Sequence, residues 1–261
     1  MSIAKYTQLV RHIKNWPLYF KRVHKQNNTA RYITRGVPIQ FDVPPRFYEV
    51  FREVFMEDFY KINDLVRHLP AKPTIVDIGG NVGYFSTLIA SKKADARIVA
   101  FEPMKENAAV FQSNLSLNKG LENRIQLHNA AITGNYNGTI RIFFDVESEN
   151  SVIASVMDDF STLNTASREV AALSVEEACK RYSINQIDLL KLDCEGSEYP
   201  ILYEMPGHVF DRIKTIAIES HDLDEGERNT GALKKFLEAK GFSVDSAVAE
   251  NNCYYLKAWR P

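Results

Sequence analysis

The chain has 261 residues, a net charge of −1, and 45% hydrophobic and 25% charged residues, enough for one large α/β domain with an N-terminal extension. The near-zero charge argues against nucleic acid as the main partner, which selects a basic excess. No apolar run reaches membrane-spanning length and Met1–Lys14 lacks the apolar core of a secretory signal, so stable membrane insertion is not expected.

Residues 1–30 carry a helical pattern, Ile3, Tyr6, Val10 and Ile13, broken by Trp16-Pro17 and followed by a basic stretch to Lys25. The pattern predicts a helix packed on the domain or on a second subunit. Because His12, Lys14, Lys21, Arg22 and Lys25 accompany Trp16, Tyr19 and Phe20, a helix lying on a membrane surface is an alternative. Arg31–Phe41 alternates on each side of Gly36 and reads as a hairpin, after which Pro44-Pro45 closes this part of the extension. Phe47–Leu69 reads as an aromatic-rich helical segment with Tyr48, Phe51, Phe55, Phe59 and Tyr60. Such a stripe suits a core; just ahead of the first strand it could also cover a ligand pocket. Residues 1–70 thus form an extension, whose aromatics suit a homodimer, and residues 71–261 the main domain.

The main domain opens on Pro73–Ser86, PTIVDIGGNVGYFS. Thr74, Ile75, Val76 and Ile78 predict a strand buried on both faces. It runs into Gly79-Gly80-Asn81-Val82-Gly83, and Tyr84, Leu88 and Ile89 repeat at helical spacing. Strand, glycine turn and helix in that order let backbone approach a ligand at the carboxyl end of a sheet. A Cβ at the glycines is expected to occupy the ligand's space or forbid the turn. The turn is not the dinucleotide fingerprint, since Asn81 stands where a glycine would be wanted. Asp77 would repel a pyrophosphate and suit a cationic amino-acid head. The next strand, Arg97–Phe101, ends on Glu102, 23 residues beyond Gly79, where an acid grips a ribose diol in such folds. A nucleoside without phosphates fits, and S-adenosylmethionine is such a ligand.

Pro103 starts a helix that Gly120 stops. Arg124–Leu127 is the third strand, followed by Asn129-Ala130-Ala131-Ile132, small enough for an adenine ring to lie flat. Thr139–Phe144 alternates as a further strand. Asp145–Thr165, polar through Ser148, Glu149, Asn150 and Ser151, reads as a long loop and a candidate substrate lid. Ser174-Val175-Glu176-Glu177 is a capping box opening a helix to Tyr182. Ile187–Leu192 is a buried strand ending in Asp193-Cys194-Glu195-Gly196, and a helix over Ser197–Met205 follows. Ile213–Ile218 is the fifth strand, ending in Glu219-Ser220-His221-Asp222. A helix over Asn229–Lys240 and strands at Phe242–Val248 and Cys253–Trp259 finish the chain.

In open α/β sheets, ligands bind outside the carboxyl ends of the strands. Lys191 and Asp193 alternate and face one side. A lysine there is either half of a buried ion pair with a carboxylate, holding the fourth and fifth strands together, or a catalytic group. His221, with an ordinary pKa near neutrality, is either a general base or a hydrogen-bonded residue at a strand end. Asp193 and Glu219 could hold a divalent cation through oxygen, or pair with Lys191; no metal is expected. The three cysteines, Cys179, Cys194 and Cys253, are odd in number and lack metal-ligand spacing, which points to a reduced, cytoplasmic setting. Cys194 reads as a small filler.

The DIGGNVGYFS stretch, with LLKLDCEGSEY and AIESH downstream, resembles the FkbM family of S-adenosylmethionine-dependent methyltransferases. The family's D-x-G-x-N-x-G-Y loop stands at Asp77–Tyr84, its F-E-P at Phe101–Pro103, its N-A-A-like segment at Asn129–Ala131 and its K-x-D-x-E-G-x-E block at Lys191–Glu198. The resemblance covers roughly residues 55–225; the last block is its specific part, and the glycine loop is shared with most class I methyltransferases. Gly80 stands where many members have alanine, and residues 1–50 match nothing in the family's pattern. The resemblance implies a Rossmann-like class I methyltransferase fold: a mostly parallel seven-stranded sheet with one antiparallel strand. It implies O-methylation of a hydroxyl on a sugar or glycan, a polyketide or a related secondary product. By it, Asp77, Gly79, Asn81, Gly83 and Glu102 contact the cofactor, and Gly80, Tyr84, Pro103, Asn129, Ala130, Ala131 and Asp193 complete the pocket. Lys191, Asp193, Glu195 and His221 are the candidate catalytic residues. A nucleotide-cofactor oxidoreductase is disfavoured by the missing middle glycine and by Asp77. A degenerate scaffold is disfavoured by the survival of Asp77, Glu102 and the glycines. Base N-methylation would favour an N/D-P-P-Y/F block where Asp193-Cys194-Glu195-Gly196 stands.

Overall fold

The computed structural model describes residues 3–23, 28–144, 154–155, 166–250 and 252–260. The extension begins with α1 (Ile3–His12) and α2 (Leu18–Val23), then an antiparallel hairpin of β1 (Ala30–Ile33) and β2 (Gln40–Val43). The helical stretch expected over Phe47–Leu69 is divided. It comprises α3 (Tyr48–Arg52), a π-helical turn at Glu53–Glu57, and α4 (Ile62–His68), with left-handed Asp58 (φ 55°) and Lys61 (φ 48°) between the last two. Asp58 causes the break: its carboxylate accepts the Ile62 N–H at 2.9 Å, offering the backbone an alternative to the helical ladder.

The main domain runs β3 (Thr74–Ile78), α5 (Tyr84–Lys92), β4 (Arg97–Phe101), α6 (Lys105–Ser116), β5 (Ile125–His128), β6 (Ala131–Thr133), β7 (Gly138–Phe144), β8 (Ala154–Ser155) and β9 (Ala166–Ser174). It continues with α7 (Val175–Arg181), β10 (Leu189–Leu192), α8 (Glu198–Tyr203), α9 (Gly207–Phe210), β11 (Thr215–His221), α10 (Thr230–Ala239), β12 (Ser243–Glu250) and β13 (Cys253–Trp259). Seven strands form one sheet in the order β12-β13-β11-β10-β3-β4-β5, and β13 alone runs against the rest. This is the mostly parallel, seven-stranded Rossmann-like sheet with one antiparallel strand that the resemblance implies. The chain leaves β3 towards β4 and β5, then returns to add β10 and β11 on the other side. The strand order therefore reverses between β3 and β10, which opens a crevice at their carboxyl ends.

A second sheet, β6-β9-β7-β8, stands apart. The strand expected at Thr139–Phe144 belongs to it, and its long partner Ala166–Ser174 has no clear strand signal in the sequence because Ser167, Arg168 and Glu169 blur the alternation. Arg168 ties this sheet to α6 through Glu106 at 2.9 Å. The candidate lid over Asp145–Thr165 lies outside the described residues, apart from Ala154–Ser155, which pair with β7. Half of the capping box is formed: the Ser174 hydroxyl accepts the Glu177 N–H at 3.1 Å, but the Ser174 N–H donates to Asn137 Oδ1 at 2.8 Å rather than to Glu177.

Side chains alternate across the main sheet. Ile75, Ile98 and Leu189 face one side and Val76, Val99 and Leu190 the other. On the first side, α5 is buried on every face from Tyr84 to Ser91, the mark of a helix covered all round. The extension is that cover. Its Leu9, Ile13, Tyr32, Phe41, Phe51 and Phe55 share one core with Leu88, Ile98 and Phe111, with Tyr32 stacked on Phe51 at 4.6 Å and Phe41 on Phe55 at 4.9 Å. Helix α1 thus packs on the domain, one of its expected placements. Among the described residues no helix is long and apolar enough to cross a membrane.

His12, which the sequence groups with a basic face, is fully buried, and neither ring nitrogen has a hydrogen-bond partner among the described residues. Burial, with Lys92 and Arg11 nearby, lowers its pKa from 6.5 to about 3. The unfolded chain therefore takes up a proton below pH 6.5 that the folded chain refuses until about pH 3, so stability falls as the pH drops through that window. The fall should reach roughly 3–5 kcal/mol, and His12→Leu should flatten it. Equal slopes of unfolding free energy against pH in both proteins would contradict this.

Candidate active site

The turn after β3 is built against its own protein. Gly79 has φ +75°, and a Cβ there would stand 1.7 Å from the Asp193 carbonyl oxygen. Gly83 has φ +83°, and its Cβ would meet the Phe111 ring at 2.2 Å. Of the two roles expected for the glycines, clearing ligand space or permitting the turn, these two positions show the second, since an added carbon would strike β10's end and α6. The turn is fixed to β4 because the N–H groups of Gly79 and Gly80 both donate to the Phe101 carbonyl, at 3.0 and 2.9 Å. Asn81 is left-handed, with φ 47°, and its N–H donates to Glu102 Oε2 at 2.8 Å. Glu102 Oε1 accepts the Met104 N–H at 2.8 Å. Burial raises the Glu102 pKa to about 7 against the pull of those two N–H groups.

Two open clefts meet at this turn. The first, about 630 Å³, lies between Glu102 and Pro103 on one side and Ala130, Ala131, Ile132 and Ile142 on the other. The second, about 960 Å³, lies under the extension, between Arg46, Glu49, Val50 and Glu53 and the far side of the turn. Gly79, Asn81, Asp193 and Glu195 line both. The aromatic segment therefore plays both anticipated parts: Phe51 and Phe55 are core, while Glu53, Val54 and Tyr60 wall the second cleft.

Beneath the turn sits Lys191, paired in register with Asp77 across β10 and β3. Its ammonium lies 3.0 Å from Asp193 and 3.4 Å from Asp77, and donates to the Gly79 carbonyl at 2.7 Å. Burial opposes its charge, but Asp193 and Asp77 outweigh that cost and its pKa is raised. Asp77 is fully buried and also accepts from Ser86 Oγ at 2.6 Å. A buried Lys191–carboxylate ion pair is formed as expected, but its partners are Asp77 of β3 and Asp193, so it joins β10 to β3 rather than to β11. It holds β3, β10 and the glycine turn as one unit.

The acids beyond β10 and β11 crowd together. The Tyr60 hydroxyl donates to Asp193 at 2.6 Å and lies 3.2 Å from Glu219. Burial, then Asp193, pushes Glu195 and Glu219 well above the usual carboxylate range. His221 Nε2 is 3.8 Å from both Glu195 and Glu219, and burial lowers its pKa. His221 stands behind these acids and does not line either cleft. The Cys194–Ser197 loop is held by Glu198, which is fully buried and accepts from the N–H groups of Cys194 and Gly196.

The sequence-derived cofactor set divides accordingly. Gly79, Gly80, Asn81, Tyr84, Glu102, Pro103, Ala130, Ala131 and Asp193 line the clefts. Asp77, Gly83 and Asn129 support the walls from behind; Asn129 does so by donating to the carbonyls of Glu102 and Pro103 at 2.8 and 3.0 Å. Of the expected catalytic group, Lys191, Asp193 and Glu195 reach the second cleft. Tyr60 carries a pocket-covering signal only as one ring of the aromatic stripe, and Glu53 and Cys253 carry none in the sequence. Tyr60 sits in an aromatic run whose periodicity reads as core, and Cys253 arrives through the register of β13 on β11.

Residues 77–244 match the model of the methyltransferase FkbM domain family. A methyltransferase, "Methyltransferase 1" of Beauveria bassiana, is 25% identical over 210 residues, covering 75% of this chain and 80% of that protein. The antimetabolite synthetase AmbE of Pseudomonas aeruginosa is 24% identical over 247 residues, covering 80% of this chain but 11% of that protein. The crystal structure of methyltransferase FkbM from Methylobacillus flagellatus overlays with a TM-score of 0.49 at 11% identity, covering 78% of this chain and 59% of that one.

Proposed function

The chain belongs to the FkbM methyltransferase family, and on that premise we propose that it is an S-adenosylmethionine-dependent O-methyltransferase acting on a hydroxyl of a sugar or glycan, a polyketide or a related secondary product. The observation that carries this reading is the pair of clefts meeting at Gly79, Asn81, Asp193 and Glu195. The first has a carboxylate for a ribose diol, Glu102, and a small-residue wall for a flat ring, Ala130 and Ala131. The second is open enough for a separate acceptor.

The cofactor fits these residues. The Asn81 side-chain oxygen is buried, with no hydrogen-bond partner among the described residues, and it belongs to a residue that lines both clefts. A polar ligand lying across the turn would satisfy it. When bound, S-adenosylmethionine supplies a methyl group already activated on a sulfonium. Lys191 and Glu198 keep the turn and the Asp193–Ser197 loop in place; alignment of this kind supplies much of the rate of a two-substrate transfer. Glu195, at the junction of the clefts, is the carboxylate positioned to take the acceptor hydroxyl's proton, with His221 behind it.

Glu102→Ala should weaken S-adenosylhomocysteine binding by roughly 10- to 100-fold while the circular dichroism spectrum stays native. Unchanged affinity would remove Glu102 from the ribose role. The reaction itself is tested with ¹³C-methyl S-adenosylmethionine and a panel of hydroxylated acceptors. O-methyl resonances appearing with S-adenosylhomocysteine release are expected. Methyl groups found only on nitrogen or carbon would sink the O-transfer reading, and cofactor binding with no transfer to any acceptor would favour a silent binding subunit.

A further inference from the structure

Glu219 and His221 are two residues apart on β11 and so share a face. The antiparallel register pairs His221 directly with Cys253 of β13, which brings a thiol to that same face. Glu219 Oε1 is 3.3 Å from Cys253 Sγ and 3.8 Å from His221 Nε2, and the three donor atoms all lie within 4.8 Å of one another. A tetrahedral ion bound at about 2.0–2.3 Å to nitrogen, oxygen and sulfur needs donor separations of roughly 3.3–3.8 Å, the spacing that Glu219 Oε1 already keeps to both partners. The Tyr60 hydroxyl, 3.2 Å from Glu219 Oε2, leaves Oε1 turned towards the sulfur and the imidazole. The Tyr199 hydroxyl donates to the His221 carbonyl at 2.8 Å and steadies the ligand strand.

We propose that Glu219, His221 and Cys253 form a binding site for a divalent transition-metal ion of the zinc class at the edge of the second cleft. A mixed nitrogen, sulfur and oxygen set suits such an ion better than magnesium or calcium, which take oxygen ligands. Binding displaces the Cys253 thiol proton to solvent. Three protein ligands are the number that leaves a coordination position for substrate, and Glu219 itself lines the cleft. An acceptor hydroxyl bound there would be acidified beside Glu195; that part of the inference rests on the methyl-transfer reading above.

Cobalt(II) is the probe. Titrating the full chain should give one equivalent of binding, with a thiolate-to-cobalt charge-transfer band and tetrahedral d–d absorption. Cys253→Ser should lose the charge-transfer band, and His221→Ala should lose the tetrahedral signature. As a readout that needs no variant, zinc should protect Cys253 from alkylation, mapped by mass spectrometry. Wild-type protein without the band, a band that persists in Cys253→Ser, or alkylation that ignores zinc would each overturn the site. S-adenosylhomocysteine titration of the same sample separates the two readings: cofactor binding without cobalt binding removes the metal alone. Cobalt binding without cofactor binding keeps the site and removes the methyl-transfer reading.

Discussion

Lys191→Met should lower the unfolding free energy by roughly 3–5 kcal/mol, the range for removing one partner of a buried ion pair. The substitution keeps the length of the side chain but strands Asp77, whose carboxylate is fully buried with Ser86 the one hydroxyl left to donate to it among the described residues. It also releases the Gly79 carbonyl and one oxygen of Asp193. Asp77→Asn should hurt as well, because it leaves the ammonium facing an amide. The double variant Lys191→Met/Asp77→Asn should therefore be milder than the sum of the two singles, by about 1 kcal/mol or more. Urea unfolding of the four proteins measures this cycle. Additive losses, or a Lys191→Met protein within about 1 kcal/mol of wild type, would show that the pair is not buried together in solution.

Gly79→Ala should be comparably severe, roughly 3 kcal/mol or more. The left-handed backbone alone costs a side chain about 1–3 kcal/mol, and here the added carbon would stand 1.7 Å from a backbone oxygen that no rotamer change can move. Gly80→Ala is the matched control. Its Cβ would meet a Phe111 ring carbon at 3.2 Å and its φ is not positive, so a loss of about 1 kcal/mol or less is expected. Thermal unfolding of the pair distinguishes them, and equal stabilities would show that the turn relaxes away from Asp193.

The central device was legible because it is local. The β-branched run, the glycine turn, Glu102 after the next strand and the alternation of Lys191 with Asp193 all follow from spacing within one or two elements. Lys191 illustrates the limit of that reading. Its burial in an apolar strand marks it as paired or catalytic, but only the register of β10 on β3 shows that Asp77 and the Gly79 carbonyl receive it. Register also hid Cys253, which lies 32 residues beyond His221 in sequence yet directly opposite it on the neighbouring strand. The second sheet was missed for a related reason: β9 takes its stability from pairing with β6 and β7, not from a hydrophobic alternation of its own. The purpose of the extension likewise emerges only in three dimensions, where its rings cover the outer side of α5.

The most direct test of the account is calorimetric titration of the full chain with S-adenosylhomocysteine, with NAD as the control ligand. One-site binding of the first, unchanged by EDTA and without heat from NAD, is the predicted result, since the cofactor residues are distinct from the Glu219–His221–Cys253 group. Absence of S-adenosylhomocysteine binding, or NAD binding in its place, would contradict the assignment of the two clefts and with it the proposed reaction.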